Sequence, residues 1–125
     1  DRLRVRTLKS VRAKVGGLSG GQRQAIAIAR AVGADCSVVM LDEPTAALGV
    51  AQTRQVLDVV KRLRDTDHAV VYISHNMRDI FEVSARICVL RHGANVATWN
   101  TSETTPDEIV VAMTAGLDNG ANNAA

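Results

Sequence analysis

The sequence predicts an α/β fold in which parallel strands are joined by crossover helices. Two short, continuous apolar runs, at 37–42 and 69–73, have the length and composition of strands buried on both faces. Between them, residues 50–64 repeat apolar positions at helical spacing. Strand, helix and strand in this order suggest a right-handed parallel crossover. The chain of 125 residues suffices for one small domain with a real core, or for part of a larger one.

Residues 1–15 alternate loosely between basic and apolar positions and predict no firm element. Arg2, Arg4, Arg6, Lys9, Arg12 and Lys14 crowd this stretch against a single Asp1. Such a run suits a nucleic-acid arm or the solvated face of a domain. A net charge of +2 singles out no partner, and we read a solvated face. The glycine cluster from Gly16 to Gly21 breaks structure. Residues 22–32 then turn helical, with Ala25, Ile28, Ala29 and Val32 on one face and Arg23 and Arg30 on another. The alanines allow close packing against a neighbour.

Val38, Val39, Met40 and Leu41 form the first strand, and Pro44 opens a loop. In the helix at 50–64, Val56, Leu57, Val60 and Leu63 make the apolar stripe. The second strand follows at 69–73. Residues 76–84 predict a short helix with Met77, Ile80 and Phe81 inward. Residues 86–91 and 95–99 read as a strand pair joined at His92-Gly93-Ala94. Thr105 can cap a last helix, Pro106 suits its first turn, Glu108 can close a capping box, and Gly116 can end it. The stretch from Leu117, rich in Asn, Ala and Gly, lacks the apolar content to pack and is expected to be disordered. No internal repeat is visible.

Apolar residues make up 46% of the chain, an ordinary globular value. The aromatics are Tyr72, Phe81 and Trp99, so the core must be built from Val, Ile, Leu and Ala. Cys36 and Cys88 show no metal-ligand spacing and each adjoins an apolar run. They read as two buried thiols in a reducing cytosol. No apolar stretch approaches the length of a membrane span, and no signal peptide is evident. The chain opens on Asp1 rather than Met, as a fragment or a processed chain would.

Three short motifs carry chemistry. Asp42 and Glu43 end a hydrophobic strand, where carboxylates face the crevice that binds ligands in open α/β sheets. One could hold Mg²⁺ and the other orient an attacking water. The pair alone would equally suit a solvated turn before a proline. Ser19-Gly20-Gly21 offers backbone N–H groups and a hydroxyl at a helix start, an arrangement suited to an anion, and the glycines let the backbone approach a phosphate closely. Alone, it reads as a flexible loop capped by Ser19. His75 follows the second strand, at the same sheet edge as Asp42 and Glu43 if the strands are parallel. There it could hydrogen-bond a terminal phosphate, or cap the next helix as a surface histidine. His68 and His92 lie in turns and are assigned no function. The 125 residues contain no Gly-x-x-x-x-Gly-Lys-Ser/Thr loop. The closest frame runs from Gly16 to Gly21 but continues with Gln22 and Arg23. The lysines are Lys9, Lys14 and Lys61, and none follows a glycine-rich turn.

Taken together, these residues resemble the ATP-binding cassette (ABC) ATPases, from about Val15 to Gly116. Leu18-Ser19-Gly20-Gly21-Gln22 matches the family signature letter for letter. The stretch from Val38 to Thr45 matches its Walker B strand and turn, and Tyr72-Ile73-Ser74-His75 its switch histidine. The resemblance implies a partial P-loop NTPase-like ABC ATPase core, with parallel strands and crossover helices, plus part of the helical subdomain. It would occupy residues 1–116, with 117–125 as a tail. It implies ATP and Mg²⁺ as ligands. Asp42 would serve Mg²⁺, Glu43 would be the catalytic carboxylate, and His75 would contact the γ-phosphate. Ser19, Gly20, Gly21 and Gln22 would act in trans, closing over ATP held by a second ABC ATPase subunit, with a homodimer expected. The P-loop lysine, the adenine-stacking aromatic and the Gln loop would belong to a stretch outside this chain.

One segment departs from the family. Its Ser-Ala-Leu-Asp-like loop here reads Ala46-Ala47-Leu48-Gly49, and Gly49 brings no carboxylate to the dimer seam. This variant, with Val50-Ala51-Gln52-Thr53 following, is similar to the ATPases of bacterial simple-sugar importers of the ribose, xylose and fructose type, as is the closing stretch 109–116. The implied protein is the C-terminal half of an ABC importer ATPase for a monosaccharide. It would sit on the cytoplasmic face of the plasma membrane against a transmembrane sugar permease, served indirectly by a periplasmic or extracellular sugar-binding protein, with no nucleic acid. The alternatives are a soluble ABC ATPase acting on ribosomes or DNA, and a truncated, inactive fragment.

Overall fold

The computed structural model describes residue 12 and residues 14–32, 36–66 and 68–115. The expectations for the basic N-terminal stretch, for Gly116 and for the tail lie almost wholly outside these residues. The chain divides into two compact units, residues 1–79 and 80–125.

The first unit contains helix α1 (Gly20–Val32), strand β1 (Val38–Asp42), helix α2 (Val50–Arg64) and strand β2 (Ala69–Ile73). The glycine cluster does not break structure throughout. Val15–Gly17 forms a 3-10 turn, and α1 begins at Gly20, two residues before the apolar periodicity starts. The cause is local. Ser19 Oγ accepts the Gln22 N–H at 3.3 Å while Gln22 Oε1 accepts the Ser19 N–H at 3.0 Å, a reciprocal capping box. Ala25 and Ile28 are buried on the inner face of α1, and Ala29 is half-buried.

Helix α2 spans the predicted residues, and Val56, Leu57, Val60 and Leu63 are buried as the stripe requires, joined by Val59. It packs against α1 and β2. Strands β1 and β2 pair in parallel, with Val38 opposite Ala69 and Asp42 opposite Ile73. They are not buried on both faces. Val39 and Leu41 point into the core, whereas Val38 (55% exposed), Met40 (68%), Val71 (42%) and Ile73 (43%) share the other side of the sheet. Continuous apolar runs of this kind normally signal two covered faces. Among the described residues, helix packing covers one of them.

The second unit holds the antiparallel pair β3 (Arg86–Arg91) and β4 (Ala94–Asn100), followed by helix α4 (Pro106–Thr114). Helix α3 (Met77–Val83) runs across the division, with Ile80 and Val83 buried and Met77 and Phe81 half-buried. The hairpin turn is tighter than the sequence suggests. His92 (φ 50°) and Gly93 (φ 79°) make a two-residue turn, and Ala94 already belongs to β4. Two consecutive positive φ angles match the twist of antiparallel strands. Ile109 and Ala112 of α4 pack with Ile87 and Val89 as the inner residues of this unit.

The thiols correct the sequence reading. Cys36 is half-buried and Cys88 exposed, and both are free. Alternation along β3 turns Ile87 and Val89 inward and therefore Cys88 outward.

Candidate functional site

The parallel register puts the ends of β1 and β2 side by side, so the residues that follow them meet. The Glu43 N–H donates to the Ile73 carbonyl at 2.9 Å, extending the ladder one step past Asp42. The chain then turns sharply. Glu43 itself takes φ 43°, a left-handed backbone that is uncommon for any residue except glycine. Its carboxylate swings toward the end of β2. Oε1 lies 2.6 Å from His75 Nδ1 and accepts the His75 backbone N–H at 3.1 Å, while Oε2 accepts the Ser74 hydroxyl at 3.2 Å. An ionised carboxylate only accepts, so Nδ1 carries the proton in this contact.

These donors favour the charged form. The hydrogen bond from the His75 ring is the largest influence and holds the Glu43 carboxyl below its ordinary value of 4.5, against the opposing effect of burial. A carboxylate offers about four acceptor positions. With Nδ1, one backbone N–H and one hydroxyl in place, room for a water remains.

Asp42 stands beside Glu43, exposed at the end of β1. Among the described residues, no group of three or more His, Cys, Asp or Glu gathers in a way that could hold a metal ion. A cation at Asp42 would therefore rest on one carboxylate with waters and phosphate oxygens. Mg²⁺ is commonly bound in that way, so the donor set fits it.

The signature residues form a separate piece of the first unit. Ser19 and Gln22 cap α1 through each other, and the Arg23 N–H closes on the Ser19 carbonyl at 2.9 Å. The N–H groups of Gly20 and Gly21 also belong to this first turn. Their lack of side chains has a packing role as well. A Cβ at Gly21 would lie 2.8 Å from Gln52 Cβ, and one at Gly20 would lie 3.1 Å from Leu48 Cδ2. The loop that lacks a carboxylate at Gly49 thus lies directly against the signature turn. Gly49 serves as the N-cap of α2, and its N–H is taken by Gln52 Oε1 at 2.9 Å.

Two groups of residues escaped the sequence reading. Ser74 is a direct partner of Glu43, signalled only by its place beside His75. Buried Thr45 and Asp79 and half-buried Tyr72 form a polar cluster in which the Thr45 hydroxyl donates to Asp79 Oδ2 at 2.8 Å and lies 3.3 Å from the Tyr72 oxygen. Burial is the main reason the Tyr72 hydroxyl is raised above its ordinary range. The Asn-x-x-Asp spacing of Asn76 and Asp79 marks a helix start, and Asn76 Oδ1 does accept the Asp79 N–H at 3.4 Å.

The ABC transporter family matches residues 2–46. The chain is 42% identical to the fructose import ATP-binding protein FrcA of Rhizobium meliloti, over 93% of this chain and 45% of that protein. It is 41% identical to the xylose/arabinose import ATP-binding protein XylG of Sulfolobus acidocaldarius, over 92% of this chain and 45% of that one. With the ribose import ATP-binding protein RbsA 2 of Agrobacterium fabrum it shares 40% identity over 80% of this chain and 20% of the relative. Among solved structures, an inward-facing metal-chelate type ABC transporter superposes with a TM-score of 0.69 at 29% identity, over 81% of this chain and 41% of that one. The sequence and the α/β fold are thus similar to those of ABC ATP-binding proteins, and the chain spans less than half the length of these relatives.

Proposed function

We propose that this chain is part of the ATP-hydrolysing subunit of an ABC importer for a monosaccharide, and that Glu43 and His75 are its hydrolytic residues. The observation that carries the reading is the 2.6 Å contact between them at the carboxyl edge of two parallel strands. That edge is where open α/β sheets bind ligands. Glu43, ionised and held by its neighbours, has an acceptor position for a water and can orient it toward a phosphate. In its imidazolium form, with both ring nitrogens protonated, His75 would donate from Nδ1 to Glu43 and from Nε2 to the terminal phosphate of ATP. Mg²⁺, when bound, neutralises phosphate charge, and Asp42 is the residue to hold it.

Ser19, Gly20, Gly21 and Gln22 would face ATP bound to a second subunit, with α1 supplying its N-terminal amides. The sugar import named for the relatives supports the cargo class. It also supports a permease and a sugar-binding protein as further partners, with the subunit on the cytoplasmic face of the membrane. No helix among the described residues is long and apolar enough to cross a membrane itself.

The test is Glu43→Gln in the complete subunit. Turnover should fall by roughly 10²–10⁴-fold while ATP affinity is kept. Hydrolysis near the parent rate would remove Glu43 from this role.

A further inference from the structure

The left-handed turn at Glu43 needs an external hold. A glutamate has no preference for φ 43°, and such a conformation persists only where the surroundings over-determine it. Two residues on, Thr45 is 8% exposed and Asp79 3% exposed. A carboxylate buried to that degree needs a donor, because an unpaired one is strongly disfavoured. The Thr45 hydroxyl supplies it at 2.8 Å.

From Asp79 a chain of hydrogen bonds leads back to Glu43. The Asp79 N–H donates to Asn76 Oδ1, the Asn76 N–H donates to Ser74 Oγ, and the Ser74 hydroxyl donates to Glu43 Oε2. Two backbone steps from Glu43 to Thr45 close the ring. Tyr72, three residues before His75, touches the same Thr45 oxygen. Satisfied polar networks of this kind rigidify what they join.

We infer that Asp79 is a positioning residue, which through Thr45 holds the Glu43 turn in register with the His75 loop. It touches neither water nor phosphate in this role. Its consequence for hydrolysis rests on the function proposed above, but the placement of Glu43 against His75 does not.

The experiment reads that placement directly, by NMR of the His75 ring in the full 125-residue chain. The hydrogen-bonded Nδ1 proton should give a downfield signal, with matching ring nitrogen shifts. Thr45→Val keeps the shape of the side chain and removes its hydroxyl, whereas Thr45→Ser keeps the hydroxyl and removes a methyl. We expect the downfield signal to be lost in Thr45→Val and in Asp79→Ala but retained in Thr45→Ser, with circular dichroism unchanged in all three. The proposal is overturned if Thr45→Val retains the signal, or if Thr45→Ser loses it, which would make the contact one of packing. It is equally overturned if Thr45→Val unfolds, which would make the hydroxyl a stability element, or if the parent chain lacks the signal. ATP hydrolysis enters none of these readings, so failure of the ATPase proposal would be seen separately.

Discussion

A carboxylate whose partners favour its charged form ties local structure to pH. Glu43 titrates below 4.5 in the folded chain, chiefly through the His75 ring. A depressed folded pKa contributes stability that is fully present above the unfolded pKa and is lost as pH falls through the folded one. Because the pair is partly exposed, solvent screens it and the effect is modest. Glu43→Gln cannot make the charged contact at any pH. The melting temperature of the parent chain should therefore exceed that of Glu43→Gln near neutrality, and the gap should close as pH falls below 4.5. A gap independent of pH would mean that the two side chains do not form this charged pair in solution. The adjacency of Asp42, Glu43 and His75 to strand ends was legible in the sequence, because alternation of apolar runs and turns places strand ends reliably. The bond between Thr45 and Asp79 was not, since it joins residues 34 apart and neither side chain announces a partner.

At the scale of elements, local chemistry and apolar spacing set most boundaries, and tertiary contacts decided the rest. Helix α4 begins where Thr105, Pro106 and Glu108 predict. Glu108 Oε2 accepts the Thr105 N–H at 2.8 Å, and Thr105 Oγ1 takes the Glu108 N–H at 3.4 Å. Thr105→Ala should lower stability by about 0.5–2 kcal/mol, read by denaturant melts, with Thr105→Ser close to neutral. Helix α1 begins earlier than its periodicity because Ser19 and Gln22 form the same kind of box inside a glycine cluster, which reads as a breaker when taken residue by residue. Gly21 also lets α1 approach the first turn of α2. Gly21→Ala gains helix propensity, yet its Cβ would meet Gln52 Cβ at 2.8 Å and Cα at 3.1 Å. Backbone cannot swing away as a side chain can, so overpacking wins, and we expect a loss of about 1–3 kcal/mol. An unchanged or raised melting temperature would show that the two helices do not pack this closely. The strand faces are the element property that the sequence misjudged. Val38, Met40, Val71 and Ile73 are as apolar as their buried neighbours, and only what packs on a sheet determines which face is covered.

For the whole molecule, the governing question under the proposed function is which part of a phosphate site the 125 residues would supply. In the function proposed above, Glu43, His75 and Asp42 would handle a water and a cation, and the signature turn would offer helix-terminal amides. Affinity for a triphosphate comes mainly from a cradle of backbone N–H groups around the phosphates and a lysine reaching into it. No such loop is present, and Lys61 lies on α2 rather than after a glycine-rich turn. The amides of a single helix start and one imidazole are a weak substitute, because each contributes only a modest net interaction in water. The chain alone should therefore show negligible hydrolysis and at best weak binding in a calorimetric titration with Mg-ATP. Tight, stoichiometric binding would be decisive against this view. It would mean that the exposed sheet face and the strand-end residues form a complete nucleotide site by themselves, and the assignment of the signature turn to ATP on a second subunit would lose its main support.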